Sequence, residues 1–414
     1  MIWRALYTVA LYALLPFVVM KLWWRGRREP AYRTRIGERF GRYRFAAGRP
    51  VLWVHAVSVG EARASAPLVR ALQQEFSDHQ LLITCSTAAG HDMLKQMYGE
   101  SASIAWLPYD YPGSVRRFVR HFRPRLGLLM ETEIWPNLLA ACGAHGVPVA
   151  LASARLSERS ARGYARWGRL ARPAFASLAA ACAQSEPDAA RLAALGANPV
   201  SVCGNLKFDM APDAGQAAAG RAWRASLGCP VLMLASTRDG EEKLLLDALS
   251  GSRRSALAVF VPRHPQRFDA VAALLGDNVR RRSRREEPRP EDRYFLGDTM
   301  GEMAFYYSAA DVAIIGGSFL PLGGQNLIEA CATGTPVVFG PSMYNFAEAS
   351  DLALAAGAAT QARDAAEAVR LAVALVDDPA RRKRIGEAGL RLCAAHRGAA
   401  QRHIAVCRRM LEGR

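Results

Sequence analysis

The chain has 414 residues, more than one hydrophobic core ordinarily serves, so two domains are expected. Hydrophobic residues make up 51% and no long stretch is of low complexity, which excludes a largely disordered chain. The formal charge of +17 points to nucleic acid, an anionic membrane or a phosphorylated substrate, unless it is only a solvated basic surface.

From the N-terminus, "ALYTVALYALLPFVVM" runs sixteen residues without a charge between Arg4 and Lys21. "KLWW" and arginines at 25, 27, 28, 33, 35, 39, 42, 44 and 49 follow it. No small-residue cleavage site follows the run, so a removed signal peptide is disfavoured. Lys21 can snorkel, and the tryptophans suit a membrane interface. The expectation is an uncleaved anchor over residues 1–24 with the rest of the chain in the cytoplasm; the alternative is a buried N-terminal helix.

Short apolar runs then alternate with Ala/Leu/Arg-rich helical stretches: "VLWVHAV", "LLITCS", "SIAWLP", "LGLLME", "VPVALAS", "LAAACAQS" and "PVSVCGN". This is the rhythm of βα units on a parallel sheet. "MAPDAGQAAAGRAW" reads as a linker over 210–228, and the rhythm restarts with "PVLMLAS", "ALAVFVP", "DVAIIGG" and "TPVVFG". Residues 280–293 read as a surface excursion. The expected architecture is an anchor, an N-terminal Rossmann-like domain over 25–209, and a second over 229–414, the two facing a cleft. The eight cysteines are scattered without a CxxC, several inside apolar runs, which suits a reducing compartment and disfavours both a disulfide framework and a zinc site.

The unusual polar residues fall just after the apolar runs, where open α/β sheets bind ligands. In "SVGE", Glu61 is either a helix-start acid or a catalytic base; the glycine before it would let the chain turn sharply. A helix N-terminus lowers a carboxylate's pKa, so a base here needs an apolar or acidic environment to compensate. In "METEIWPN", Glu131 and Glu133 stand two apart; on an extended strand both point the same way. Lys207 in "GNLKFD" is a strand-end cation or a plain surface lysine. In the second half no GxGxxG or GxxxxGK[ST] is present, which disfavours a redox dinucleotide or a P-loop. "VPRHPQRF" offers Arg263 to a phosphate, with His264 a structural partner. "GDTMGE" puts Met300, Gly301 and Glu302 where a loop becomes a helix. "GGSFLPLGGQNLIEA" leads into a helix starting near Gln325 or Asn326, with Glu329 one turn inside, and reads either as an anion cradle or as a capped turn.

In this order, over nearly the whole chain, "RIGERFGRY", "WVHAVSVGE", "TCSTAAG", "METEIWPN", "SARLSERS", "GNLKFD", "VPRHPQRF", "GDTMGE" and "GGSFLPLGGQNLIEACATGTPVVFGP" resemble the Kdo transferases, which move 3-deoxy-D-manno-octulosonic acid from CMP-Kdo to a lipid A precursor. The resemblance implies a GT-B glycosyltransferase, α/β with two Rossmann-like domains, inverting and without metal or cofactor, at the cytoplasmic side of the inner membrane. It maps the general base onto Glu61 and transition-state stabilisation onto Glu131 and Lys207. Nucleotide contacts map onto Pro262, Arg263, Met300, Gly301, Glu302, Asn326, Leu327, Ile328 and Glu329. A UDP-sugar transferase or epimerase is the alternative on the same architecture. Nucleic acid is disfavoured as a partner, because no aromatic stacking array accompanies the basic residues.

Overall fold

A computed structural model describes residues 2–45, 48–253 and 255–412, with Arg28 described for its backbone only. The chain divides into two compact units, one running to Asp209 and resuming at Gly398, the other spanning Met210–Arg397.

The first unit is built on seven parallel strands: β1 (Val51–His55), β2 (Gln80–Cys85), β3 (Ser103–Trp106), β4 (Leu126–Met130), β5 (Val149–Ala154), β6 (Ala180–Ala183) and β7 (Val200–Val202). They lie in the order β3-β2-β1-β4-β5-β6-β7. β1, β4 and β5 are buried along their whole length, which is why their sequences read as unbroken apolar runs. β1 pairs with both β2 and β4, so the strand order reverses between β1 and β4. Loops leaving the carboxyl ends of those two strands flank the crevice where such sheets bind ligands.

The second unit repeats the plan with β8 (Val231–Thr237), β9 (Leu257–Pro262), β10 (Arg280–Arg281), β11 (Tyr294–Leu296), β12 (Val312–Ile315), β13 (Val337–Phe339) and β14 (Ala359–Gln361). The order is β10-β11-β9-β8-β12-β13-β14, all parallel, with the reversal between β8 and β12.

Three expectations need correction. Residues 280–293 are not only a surface excursion: they supply edge strand β10, and Arg281 donates to the buried Asp298 at 2.7 Å. The stretch expected as a linker is a helix, Ala214–Ser226, capped by Asp213, with Ala217, Gly220 and Trp223 buried. Gly220 lies so close to Phe305 that a Cβ there would come within 2.2 Å of its carbonyl oxygen, so small residues serve packing here rather than flexibility.

The second domain does not extend to 414 either. The terminal helix Ala399–Glu412 returns to the first unit, where Ala399, Ala400, Ile404, Val406 and Cys407 join the core with Leu68, Leu72 and Ile83. Asp209 accepts from the N–H groups of Gly398 and Ala400, both at 2.6 Å. His403 accepts from Ser153 N at 2.8 Å and donates to Ala399 O, and burial pushes its pKa down to about 4, keeping the imidazole neutral.

At the N-terminus no single described helix is long and apolar enough to cross a membrane, whereas the pair Ile2–Ala13 and Leu15–Arg27, bent by 50°, is so together by length and composition. Pro16 sits in the first turn after the break, where its missing N–H is tolerated. Tyr7 donates to Asp110 at 3.1 Å and Tyr111 donates to Leu11 O at 3.2 Å, docking the first helix on the first unit. Ile2, Leu6, Val9, Phe17, Met20, Trp23 and Trp24 stay exposed.

Candidate active site

β1 ends at His55, and Ser58 caps the helix Val59–Ala64 that follows. The Ser58 hydroxyl accepts from Glu61 N at 3.4 Å. In return the Glu61 carboxylate accepts from Val57 N at 2.8 Å and from the Ser58 hydroxyl at 3.1 Å. This is a reciprocal capping arrangement, so the helix-start reading of Glu61 is realised. Capping does not exhaust its chemistry. Burial, foremost, and the carboxylates of Glu131 and Glu133 outweigh the bonds from Val57 and Ser58 and raise its pKa to about 7. The apolar and acidic surroundings expected of a base at a helix N-terminus are therefore present. Gly60 is not the cause of the turn: it lies inside the short helix, its φ is not left-handed, and a Cβ there would meet only the Ser58 hydroxyl at 3.8 Å.

Across the switch point, Glu131 N makes the last sheet bond, to Ala152 O at 2.9 Å. The chain then enters the left-handed region, φ +54 at Glu131, an uncommon conformation for a residue with a side chain. The extended geometry expected over 131–133 is therefore absent. Thr132 pins the turn by donating to Arg155 O at 2.5 Å. Both acids nevertheless act on Glu61. Glu133 accepts from the Trp135 indole at 2.9 Å, and its own pKa is raised by burial and then by Glu131 against that bond. Lys207 follows edge strand β7, three strands from β4 in the sheet order; its N–H is held by Asn205 Oδ1 at 3.0 Å.

A cavity of about 650 Å³ adjoins these loops, lined by Phe17, Lys21 and Leu22 from the N-terminal helices and by Val57, Glu133 and Trp135 from the strand ends. Apolar and charged side chains line it on both sides, Lys21 and Arg25 among the helix residues and Asp110 and Glu133 among those at the strand ends. Among the described residues no group of three or more His, Cys, Asp or Glu side chains is arranged to hold a metal ion.

In the second unit the loops after β8 and β12 are tied by a residue the sequence reading passed over. Glu241 is fully buried and accepts from Arg238 N (3.0 Å), Gly317 N (2.5 Å) and Phe319 N (2.9 Å). Its signal was available in "DGE", the same glycine–glutamate step as "VGE". Pro262 closes β9, and Arg263 N donates to Thr237 O at 3.0 Å. His264 is held below its usual pKa by burial and then by Arg238 and Arg263, the arginines that follow β8 and β9. Arg238 was also not singled out from sequence.

Met300 is half exposed and Gly301 is left-handed, φ +84, its carbonyl accepting from the Gln216 amide at 2.9 Å. Glu302 pairs with Arg282 at 3.1 Å and accepts from Thr299; these bonds outweigh burial and leave its pKa lowered. The helix expected from Gln325 or Asn326 begins at Ile328, because Asn326 forms its own turn. Asn326 Oδ1 accepts from Ile328 N at 3.2 Å and its amide donates to Glu329 at 2.9 Å. Leu327 and Ile328 point into the core, so only their backbone is available to a ligand.

Residues 34–210 match the family described as 3-deoxy-D-manno-octulosonic-acid transferase (kdotransferase). The 3-deoxy-D-manno-octulosonic acid transferase of Bordetella pertussis is 47% identical over 420 residues, covering 97% of this chain and 98% of its own. That of Haemophilus influenzae is 33% identical, covering 99% of both chains. A solved glycosyltransferase from Rickettsia africae shares the fold at 12% identity, with a TM-score of 0.59 over 89% of this chain and 100% of that one. Near-complete coverage at these identities, over two doubly wound units, leaves no room for a different family: the chain belongs to the 3-deoxy-D-manno-octulosonic acid (Kdo) transferases and is a glycosyltransferase.

Proposed function

We propose that the chain transfers Kdo from CMP-Kdo to the lipid A precursor, lipid IVA, in lipopolysaccharide biosynthesis, with inversion, without a metal, and with Glu61 as general base. The observation that carries the reading is the Glu61 carboxyl, raised to about 7 beside Glu131 and Glu133 at the switch point of the first sheet. A sugar hydroxyl is a weak nucleophile, and a base with a pKa near the working pH is the most effective at taking its proton. As the acceptor oxygen bonds to the anomeric carbon, its proton passes to Glu61. The bond from that carbon to the phosphate oxygen breaks on the opposite face, and CMP leaves with the electron pair. Glu131 and Lys207 take the stabilising roles the family resemblance gives them.

On the donor side, Arg263 and Arg238 meet the phosphate of the leaving nucleotide, bidentate geometry being what guanidinium offers it. Pro262, Met300, Gly301, Glu302 and Asn326 through Glu329 contact the nucleotide, Leu327 and Ile328 through backbone groups. The exposed apolar residues of the bent N-terminal pair, followed by the basic collar, support seating on the cytoplasmic face of the inner membrane.

The test is a transfer assay with CMP-Kdo and a tetra-acylated lipid A precursor, the sugars added being counted by mass. Glu61→Gln should lower kcat roughly 100-fold or more while CMP affinity holds. An active Glu61→Gln enzyme removes the base assignment, and equal competition by UDP removes the donor assignment.

A further inference from the structure

The N-terminal helices turn one stripe of side chains toward the first unit. Tyr7, Thr8, Leu11, Leu15 and Val18 are half-buried and Leu22 is buried, recurring every three or four residues from Thr8 on, while Leu6, Val9, Phe17 and Met20 between them stay exposed. A stripe that only packed would be apolar throughout. This one carries two hydroxyls, and both meet buried polar partners. The Tyr7 hydroxyl donates to Asp110 Oδ2 at 3.1 Å, and the Thr8 hydroxyl meets the Asn137 amide at 3.1 and 3.2 Å. Asp110 and Asn137 are each 5% exposed.

These two partners hold the entrance of the helix Pro136–Ala144. Trp135, at its cap position, makes no side-chain cap bond, so the first amides need an acceptor from elsewhere. Asp110, in the loop after β3, supplies it. Its carboxylate accepts from Asn137 N at 3.0 Å and from Leu138 N at 2.7 Å, and the Asn137 amide donates back to Asp110 O at 2.8 Å. Negative charge is also what a helix N-terminus favours. Immediately before this helix lies the loop that carries Glu131, Thr132 and Glu133. Thr132 ties the start of that loop to Arg155 O, Glu133 is bonded to the Trp135 indole, and Asp110 ties its end. Oδ2 of Asp110 takes both the Tyr7 hydroxyl and the Asn137 N–H, so losing the hydroxyl frees the carboxylate to turn, and the first turn of the helix with it.

We infer that Tyr7 and Thr8 are positioning residues for the reaction. Through Asp110 and Asn137 they fix the loop that sets Glu131 and Glu133 against Glu61, so the first helix belongs to the active-site scaffold, apart from its attachment to a membrane. The inference rests on the proposed reading of Glu61 as the base.

Tyr7→Phe and Thr8→Val each remove a polar contact and keep the shape of the side chain. Full-length protein and acceptor are assayed in detergent micelles, where seating on a bilayer plays no part. The Tyr7→Phe, Thr8→Val double variant should lower kcat roughly 5- to 50-fold, between the loss of one hydrogen bond to a carboxylate and a misplacement of about an ångström. The KM for CMP-Kdo should not move. Hydrogen exchange at the amides of 137 and 138 should quicken roughly 10-fold. Leu6→Ser and Met20→Ser, on the exposed faces of the same helices, should leave kcat and that exchange at wild-type values. In a Glu133→Gln background the two hydroxyl deletions should cost much less, because the side chain they position has lost its charge.

Unchanged kcat in the double variant overturns the positioning role. So does an equal loss in Leu6→Ser and Met20→Ser, which would make the effect one of general helix stability, or a full loss repeated in the Glu133→Gln background. Faster exchange at 137 and 138 in a protein that transfers no Kdo would instead sustain the clamp on the loop and overturn the proposed reaction.

Discussion

Replacing Glu61 by Gln should abolish transfer and at the same time stabilise the protein in a pH-dependent way. The folded carboxyl has a pKa of about 7 against the ordinary 4.5, so the folded chain holds a proton that the unfolded chain has lost between those values. Stability from this group is fully present below about 4.5 and falls as the pH rises through about 7, because above that the charge must be buried beside two other acids. A shift of this size corresponds to roughly 3 kcal/mol lost at the alkaline end. Glutamine carries no charge, keeps an oxygen for the Val57 N–H, and can donate to the Ser58 hydroxyl. The variant therefore escapes most of the penalty above pH 7 and gains little near pH 5.

At roughly 2–4 °C per kcal/mol for a unit of this size, the Tm of Glu61→Gln minus that of wild type should grow by about 5–10 °C between about pH 5 and pH 8. Paired melting curves at the two pH values measure it, and titrating groups that do not interact with Glu61 cancel in the difference. A Tm difference independent of pH would refute the buried, acid-flanked placement of Glu61, whatever the variant does to activity.

Three further outcomes follow from the same geometry. Glu133→Gln removes a like charge, so the acidic limb of the kcat/KM profile, near pH 7 in the wild type, should move to lower pH by less than about one unit, since burial is the larger cause; an unmoved or raised limb contradicts this. Glu241→Ala strands the buried N–H groups of Gly317, Phe319 and Arg238 at roughly 1–3 kcal/mol each, so thermal melting and CMP titration should both show losses, and unaltered CMP affinity would mean those loops do not carry the nucleotide. Arg263→Ala should weaken CMP binding roughly 10- to 100-fold and leave cytidine binding unchanged; an equal loss on both would place Arg263 away from the phosphate.

The interior strands were legible because burial on both faces writes an unbroken apolar run, as in "VLWVH" and "LGLLM". The edge strands of the second sheet carry no such mark: β10 is two arginines and β14 is "ATQ". The Ala/Gly-rich stretch before the second sheet looked like a linker because small residues signal flexibility in composition, while in the fold they let a helix approach Phe305. That residues 399–412 form a helix is readable in principle, but not that it rejoins the first core, since its apolar face fits either sheet. The basic collar misled in the opposite direction. A run of arginines is ordinarily solvated, and nothing local distinguishes Arg39 from Arg42 or Arg44, although Arg39 lies under Trp106 and Tyr109. Depth is a property of the tertiary fold, and the partner that reveals it, Trp106, is sixty-seven residues away in sequence.

The two glutamates that follow glycine show how little of a site's chemistry lies in its motif. Glu61 and Glu241 both stand in the first turn of a helix, after β1 and β8, the strands at which each sheet reverses its order. Glu241 is fully buried, and its two oxygens accept three backbone N–H bonds, so every approach to it is filled by the chain's own amides. It acts as a clamp on two loops. Glu61 accepts one backbone N–H and one hydroxyl, keeps part of its surface open, and has two acids for neighbours instead of further donors. Donors stabilise a carboxylate and dull it as a base, whereas like charges and burial do the reverse. The surroundings of the two residues thus differ by what the neighbouring strand delivers: amides from the loop after β12 in one unit, and Glu131 and Glu133 after β4 in the other.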